Sequence, residues 1–200
     1  GGASMYILLA MSVAGLALVW YYLFSLRRSQ VVPQKFSVEL KRLVSAEQWE
    51  EALQFTVKDH SALAEVAQCA LAYRRGTEGG DPTLVKDVME GEGSRQASLM
   101  QNQIQYLQDI AVIAPMIGLL GTVLGMLEAF NAVALDIAKA KPMVLAAGVS
   151  KALITTGAGL MVGIPAMMAY AYFRGRVTRL LAELETVSAE LLASLTRPRS

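Results

Sequence analysis

Two hundred residues, 54% hydrophobic and 18% charged, are too apolar for an ordinary soluble domain of this size. A formal net charge of +1 gives no electrostatic reason to expect nucleic acid or an acidic substrate. A single cysteine, Cys69, excludes an intrachain disulfide. With a single histidine, His60, it offers little to a structural zinc site.

The apolar residues gather in three blocks. The first, Met5 to Phe24, reads MYILLAMSVAGLALVWYYLF and carries no charge. At about 1.5 Å per residue it covers the roughly 30 Å hydrocarbon core of a bilayer. Trp20, Tyr21 and Tyr22 close it where aromatic rings favour the interface, and Arg27-Arg28 follow at once. A cleaved signal peptide would carry its charges ahead of the apolar run and a small-x-small site behind it. The order here is the reverse, so residues 5–24 are expected to be a membrane helix with residues 1–4 outside.

Residues 25–109 are polar and patterned for helices. Ser45-Ala-Glu-Gln48 has the residue types of a capping box, predicting a helix that starts there and carries Trp49, Ala52, Leu53 and Phe55. Ser61 predicts the cap of the next helix, with Leu63, Val66, Ala67, Ala70 and Leu71 at helical spacing. His60 falls at that helix boundary, and Cys69 reads as core packing. Gly76 to Gly80 predicts a loop. Asp81-Pro82 then supplies an N-cap with proline at the first helical position. The polar stretch Ser94 to Asp109 is expected to run on into the second block, extending that helix well below the membrane.

The second block, residues 110–135, is interrupted only by Glu128 and Asn131. A short segment, 136–144, with Asp136, Lys139 and Lys141, leads to the third block, 145–173, whose only charge is Lys151. Arg174, Arg176 and Arg179 close that block. Residues 174–200 then repeat apolar positions from Val177 to Leu195 as an amphipathic helix. Both arginine-rich ends fall on one side, which the positive-inside rule makes cytoplasmic. The expectation is an all-α protein with three transmembrane helices, its N-terminus outside and its C-terminus in the cytoplasm. The loop lysines run against the rule at small cost.

The second and third blocks are rich in small residues. Gly121/Gly125 and Gly159/Gly163 are small-xxx-small pairs, which let helix backbones approach closely in lipid. Gly118 and Pro165 join them as candidate packing positions. Thr122 lies about 18 Å inside one end of its block and Thr156 about 16 Å inside the opposite end of the next. On antiparallel helices the two hydroxyls share a depth near mid-membrane. There a hydroxyl either lines a wet path or bonds a carbonyl of its own helix and is silent, and the residues alone leave both readings open. Glu128 and Lys151, about 10 Å and 9 Å inside their spans, also share a depth, which predicts an intramembrane ion pair within or between subunits. A membrane-embedded enzyme would have only Glu128, Ser150 and Lys151 to use. Adjacent Ser and Lys point about 100° apart on a helix, so no catalytic role is expected. Nor does any phosphate loop, cofactor motif or metal motif occur.

The strings APMIGLLGTVLGMLEAF in the second block and SKALITTGAGLMVGIPAMMAYAYF in the third resemble the paired signatures of the MotA/TolQ/ExbB proton-channel family. More weakly, Trp49-Glu-Glu-Ala-Leu and Leu71-Ala-Tyr also fit. The likeness covers essentially the whole chain, and three spans with one large cytoplasmic insertion is the ExbB/TolQ arrangement. The resemblance implies a pentamer in the bacterial inner membrane. Such a pentamer surrounds helices of a single-span ExbD/TolR-like partner whose aspartate carries the proton. It implies that Thr122 and Thr156 line the pore, and that ion flow is coupled to mechanical work on the partner and on an envelope cargo. Where many relatives have glutamate this chain has Lys151, so that carboxylate's role does not transfer. A non-conducting scaffold that gathers partner helices through its small-residue faces is the alternative.

Overall fold

A computed structural model of the chain describes residues 2–76, 81–135 and 142–195. Among these residues every regular element is a helix: α1 (Gly2–Ser25), α2 (Arg28–Val31), α3 (Gln34–Ser45), α4 (Trp49–Val57), α5 (Ala62–Gly76), α6 (Pro82–Leu135) and α7 (Pro142–Leu195). By length and composition three stretches suit a membrane crossing: Ala3–Ser25, Pro82–Ala134 and Leu145–Leu195. At 54 residues each, α6 and α7 are more than twice as long as a bilayer requires. Of the loop expected at 76–80, Gly76 ends α5 and 77–80 lie outside the described residues, as do residues 136–141 with Asp136, Lys139 and Lys141. Of the expected 136–144 connection, the part from Pro142 onward already belongs to α7.

Asp81 caps α6 as its residue type dictates, its carboxylate accepting the Thr83 N–H at 2.9 Å. The Ser61 hydroxyl accepts the Ala64 N–H at 3.3 Å ahead of α5, and Asp59 accepts the Ser61 N–H at 2.7 Å. His60 stands exposed between these residues.

The capping box expected at Ser45–Gln48 does not form. Ser45 ends α3 instead, and Gln48 precedes α4 without a side-chain cap. Glu47 takes a left-handed φ of 56°, and the amides of Glu47 and Gln48 donate back to the carbonyls of Val44 (3.1 Å) and Leu43 (3.0 Å). That is a Schellman ending. Closing the last carbonyls of α3 outcompeted capping the first amides of α4.

The chain divides into two compact units. One joins the residues up to Tyr22 with Ile104–Tyr172. It is built inside out by the standards of a soluble protein. Its helix contacts bury Ala111, Ala114, Ala129, Ala152 and Ala166, whereas Leu9, Leu16, Leu119 and Met161 are between 61% and 81% exposed. Large apolar side chains facing outward and small ones inward is the pattern expected when the surroundings are lipid. The other unit joins Leu23–Gln103 with the residues from Phe173 on. It has an ordinary apolar core, including Leu40, Val44, Leu63, Val66, Phe173 and Leu191. Phe36 stacks on Phe55 at 4.9 Å, and the Arg74 guanidinium covers the Trp49 ring at 4.0 Å. Arg28 pairs with Glu183, Lys41 with Glu190, and Arg176 donates to the Leu26 carbonyl at 2.6 Å, fastening this part of α7 to the helices before α6.

Candidate functional site

Within the first unit α6 and α7 run antiparallel, and their glycines set the register. A Cβ added at Gly118 would lie 3.1 Å from both the Thr155 carbonyl oxygen and the Thr156 Cα. One added at Gly159 would lie 2.7 Å from the Ala114 oxygen, and one at Gly125 would lie 3.2 Å from the Ala152 Cβ. At Gly163 the obstacles are the Pro115 ring, 2.7 Å away, and the Ala111 oxygen at 3.0 Å. Pro115 has no N–H to offer the Ala111 carbonyl, so that oxygen lacks its usual donor four residues on. Gly121 faces Thr155, whose methyl occupies the space an added Cβ would take, and that Cβ would also lie 3.4 Å from the Ser4 Cβ of α1. Pro165 is exposed, two residues and so about half a turn away from Gly163. The proline at the contact is Pro115.

The three threonines of this region have distinct environments. Thr156, half-buried, donates its hydroxyl to the Gly118 carbonyl on α6 at 3.1 Å, a bond between helices. Thr122, half-buried one turn beyond Gly118, donates to the Leu119 carbonyl of its own helix at 2.6 Å. A hydroxyl that donates keeps two lone pairs, so both oxygens can still accept from water. Thr155 is 1% exposed and donates to the Lys151 carbonyl at 3.1 Å. Sequence reasoning passed over Thr155. The available signal was Gly121 opposite it, a gap that only a side chain from the neighbouring helix could fill.

Glu128 and Lys151 are both exposed, and among the described residues no ion pair joins them. The expected pair does not form within one chain. The close approach at Gly125–Ala152 and Gly148–Ala129 fills the seam beside them with small groups, leaving the longer side chains outside it. Ser150, beside Lys151, is exposed too. Among the described residues no group of His, Cys, Asp and Glu is placed to hold a metal ion.

Residues 53–186 match the model of the MotA/TolQ/ExbB proton channel family. The chain belongs to this family. Members of the MotA/TolQ/ExbB family are ion-channel and energy-coupling subunits. The chain is 42% identical over 82 residues to the biopolymer transport protein exbB1 of Vibrio cholerae, covering 41% of this chain and 36% of that one. It is 32% identical over 127 residues to the Tol-Pal system protein TolQ of Pseudomonas aeruginosa, covering 62% and 54%. A putative biopolymer transport protein, ExbB-like 1 of Synechocystis, is 27% identical over 202 residues, covering 98% and 73%. The matched stretch thus spans little more than a third of the Vibrio relative. Together with the three apolar helices, these likenesses support a multi-pass protein of the bacterial inner membrane.

Proposed function

We propose that the chain is the channel-forming subunit of a motor driven by the proton motive force. Five copies assemble with residues 110–135 and 145–173 lining a central path, the N-terminus outside and residues 25–109 and 174–200 in the cytoplasm. A single-span partner of the ExbD/TolR kind occupies the path and carries the proton on an aspartate. Thr122 and Thr156 supply the polar lining at mid-membrane. Moving one charge through 100 mV makes about 2.3 kcal/mol available, so a few protons per cycle suffice to move the partner and, through it, an envelope cargo.

The observation that carries this reading is the level of the two hydroxyls. Thr156 bonds the Gly118 carbonyl, and Thr122 lies one turn further along the same helix. Two half-buried hydroxyls therefore sit within about 6 Å of each other along α6, beside the buried Thr155, in a helix pair whose other close contacts are made largely by glycine and alanine. The partner is supported by the names of the relatives, and the apolar core that joins Leu23–Gln103 to the residues from Phe173 on suits a rigid force-bearing body.

One observation favours the scaffold reading. Thr122 already bonds its own helix, as a structurally silent threonine does. Proton flux measured in liposomes containing the chain and its partner separates the two: a motor subunit conducts and a scaffold does not.

A further inference from the structure

Glu128 and Lys151 are the only formal charges in residues 110–135 and 145–173. Both are exposed on the chain, and neither side chain has an ion-pair or hydrogen-bond partner among the described residues. The α6–α7 register brings them level. Gly125 faces Ala152 and Gly148 faces Ala129, so Glu128 is level with Val149, and Lys151 lies two residues, about 3 Å, further on. Charges within apolar spans are costly unless they pair or meet water, and glutamate is too short to reach the interface as lysine does. The seam between the helices is closed by glycine and alanine, which turns both side chains outward, toward whatever flanks the chain. Asn131, one turn from Glu128, and Ser150, next to Lys151, are exposed beside them.

We propose that Glu128 of one copy pairs with Lys151 of a neighbouring copy, forming a ring of intersubunit ion pairs near the α6–α7 connection. The inference rests on the reading that copies of the chain assemble. The opposite signs at one level on one chain favour a second copy as occupant, because each copy then offers its neighbour the missing counter-charge.

Glu128→Lys places two lysines at one level and is expected to cut the oligomer recovered from membranes several-fold, read by native mass. Co-expression with differently tagged Lys151→Glu chains is expected to restore most of it, because the introduced lysine of one chain then meets the introduced glutamate of the other across the interface. Co-expression with wild-type chains restores little. An odd ring keeps one like-charge contact, so recovery stays short of complete. A Glu128→Lys chain that assembles like wild type overturns the proposal, and so does rescue seen only when both reversals are on the same chain. A wild-type chain that is monomeric in the membrane overturns the assembly reading as well, whereas loss of the pair in an intact oligomer leaves that reading standing. Should Glu128→Lys fail to insert, Glu128→Cys with Lys151→Cys on a Cys69→Ser background decides the matter. Oxidation giving linked dimers and higher species supports the proposal, and monomer alone contradicts it.

Discussion

Thr156 donates its hydroxyl to the Gly118 carbonyl of the facing helix, 3.1 Å away, and the bond exists because neither Gly118 nor Gly159 has a side chain to hold the backbones apart. Polar contact and close approach are here one feature. Any side chain at either glycine lengthens the bond.

Gly159→Ala is therefore expected to destabilise the helix pair, since its Cβ would lie 2.7 Å from the Ala114 oxygen and 3.0 Å from the Gly118 Cα. Both obstacles are backbone, which cannot swing aside. The expected cost is about 1–3 kcal/mol. Gly91→Ala, with nothing within 4 Å of its Cβ in the part of α6 that precedes residue 104, is the opposite case. It is expected to stabilise by about 0.5–1 kcal/mol. Thermal unfolding of the two variants in detergent or nanodiscs checks both signs.

Cys69 is half-buried, and burial pushes its thiol above the ordinary range, reinforced by Glu92 and Glu65 and opposed by Arg95. The thiolate is the reactive form. Alkylation at neutral pH is expected to be slower than that of a free cysteine peptide, and to accelerate only at a higher pH. Equal rates at neutral pH contradict this.

Arg28–Glu183 and Lys41–Glu190 are solvent-facing pairs. Each is expected to contribute less than about 1 kcal/mol, so Arg28→Ala alters the melting temperature little. Arg176→Met removes a charged donor from the Leu26 carbonyl and is expected to cost about 1.5–3 kcal/mol. Comparing the two melts shows whether this half-buried contact or the surface pairs hold α7.

The proposed orientation is tested by labelling. On a Cys69→Ser background, Lys139→Cys is expected to react with an impermeant thiol reagent added outside cells, and Gly79→Cys is not. The reverse pattern overturns the topology.

Much of this was legible in the sequence because lipid leaves few choices. A charge-free run ending in Trp20-Tyr21-Tyr22 and two glycine-rich blocks have few soluble interpretations. What the sequence hid was competition between local solutions. Ser45–Gln48 carries the residue types of a helix start, yet serves as a helix end because Glu47 accepts the left-handed turn. Thr155 and Thr156 are adjacent and alike. Only the α6–α7 register decides that one methyl fills the space at Gly121 while the other hydroxyl reaches Gly118. Glu128 and Lys151 matched in depth, but depth says nothing of the direction in which a side chain leaves its helix.

The most direct test of the proposed motor is proton flux through the chain and its single-span partner reconstituted in liposomes, with wild type compared with Thr122→Val. Valine removes the hydroxyl and changes the shape little, and the Thr122 bond lies within its own helix, so recovery of the complex should be unchanged. Thr156→Val additionally loses the bond to Gly118, worth about 0.6 kcal/mol in typical membrane proteins, and is the less clean probe. Under an imposed potential the wild-type complex is expected to conduct, and Thr122→Val to slow the flux about tenfold or more, roughly 1.4 kcal/mol on the barrier. A wild-type complex that carries no protons, or a Thr122→Val, Thr156→Val double variant that conducts like wild type, contradicts the account.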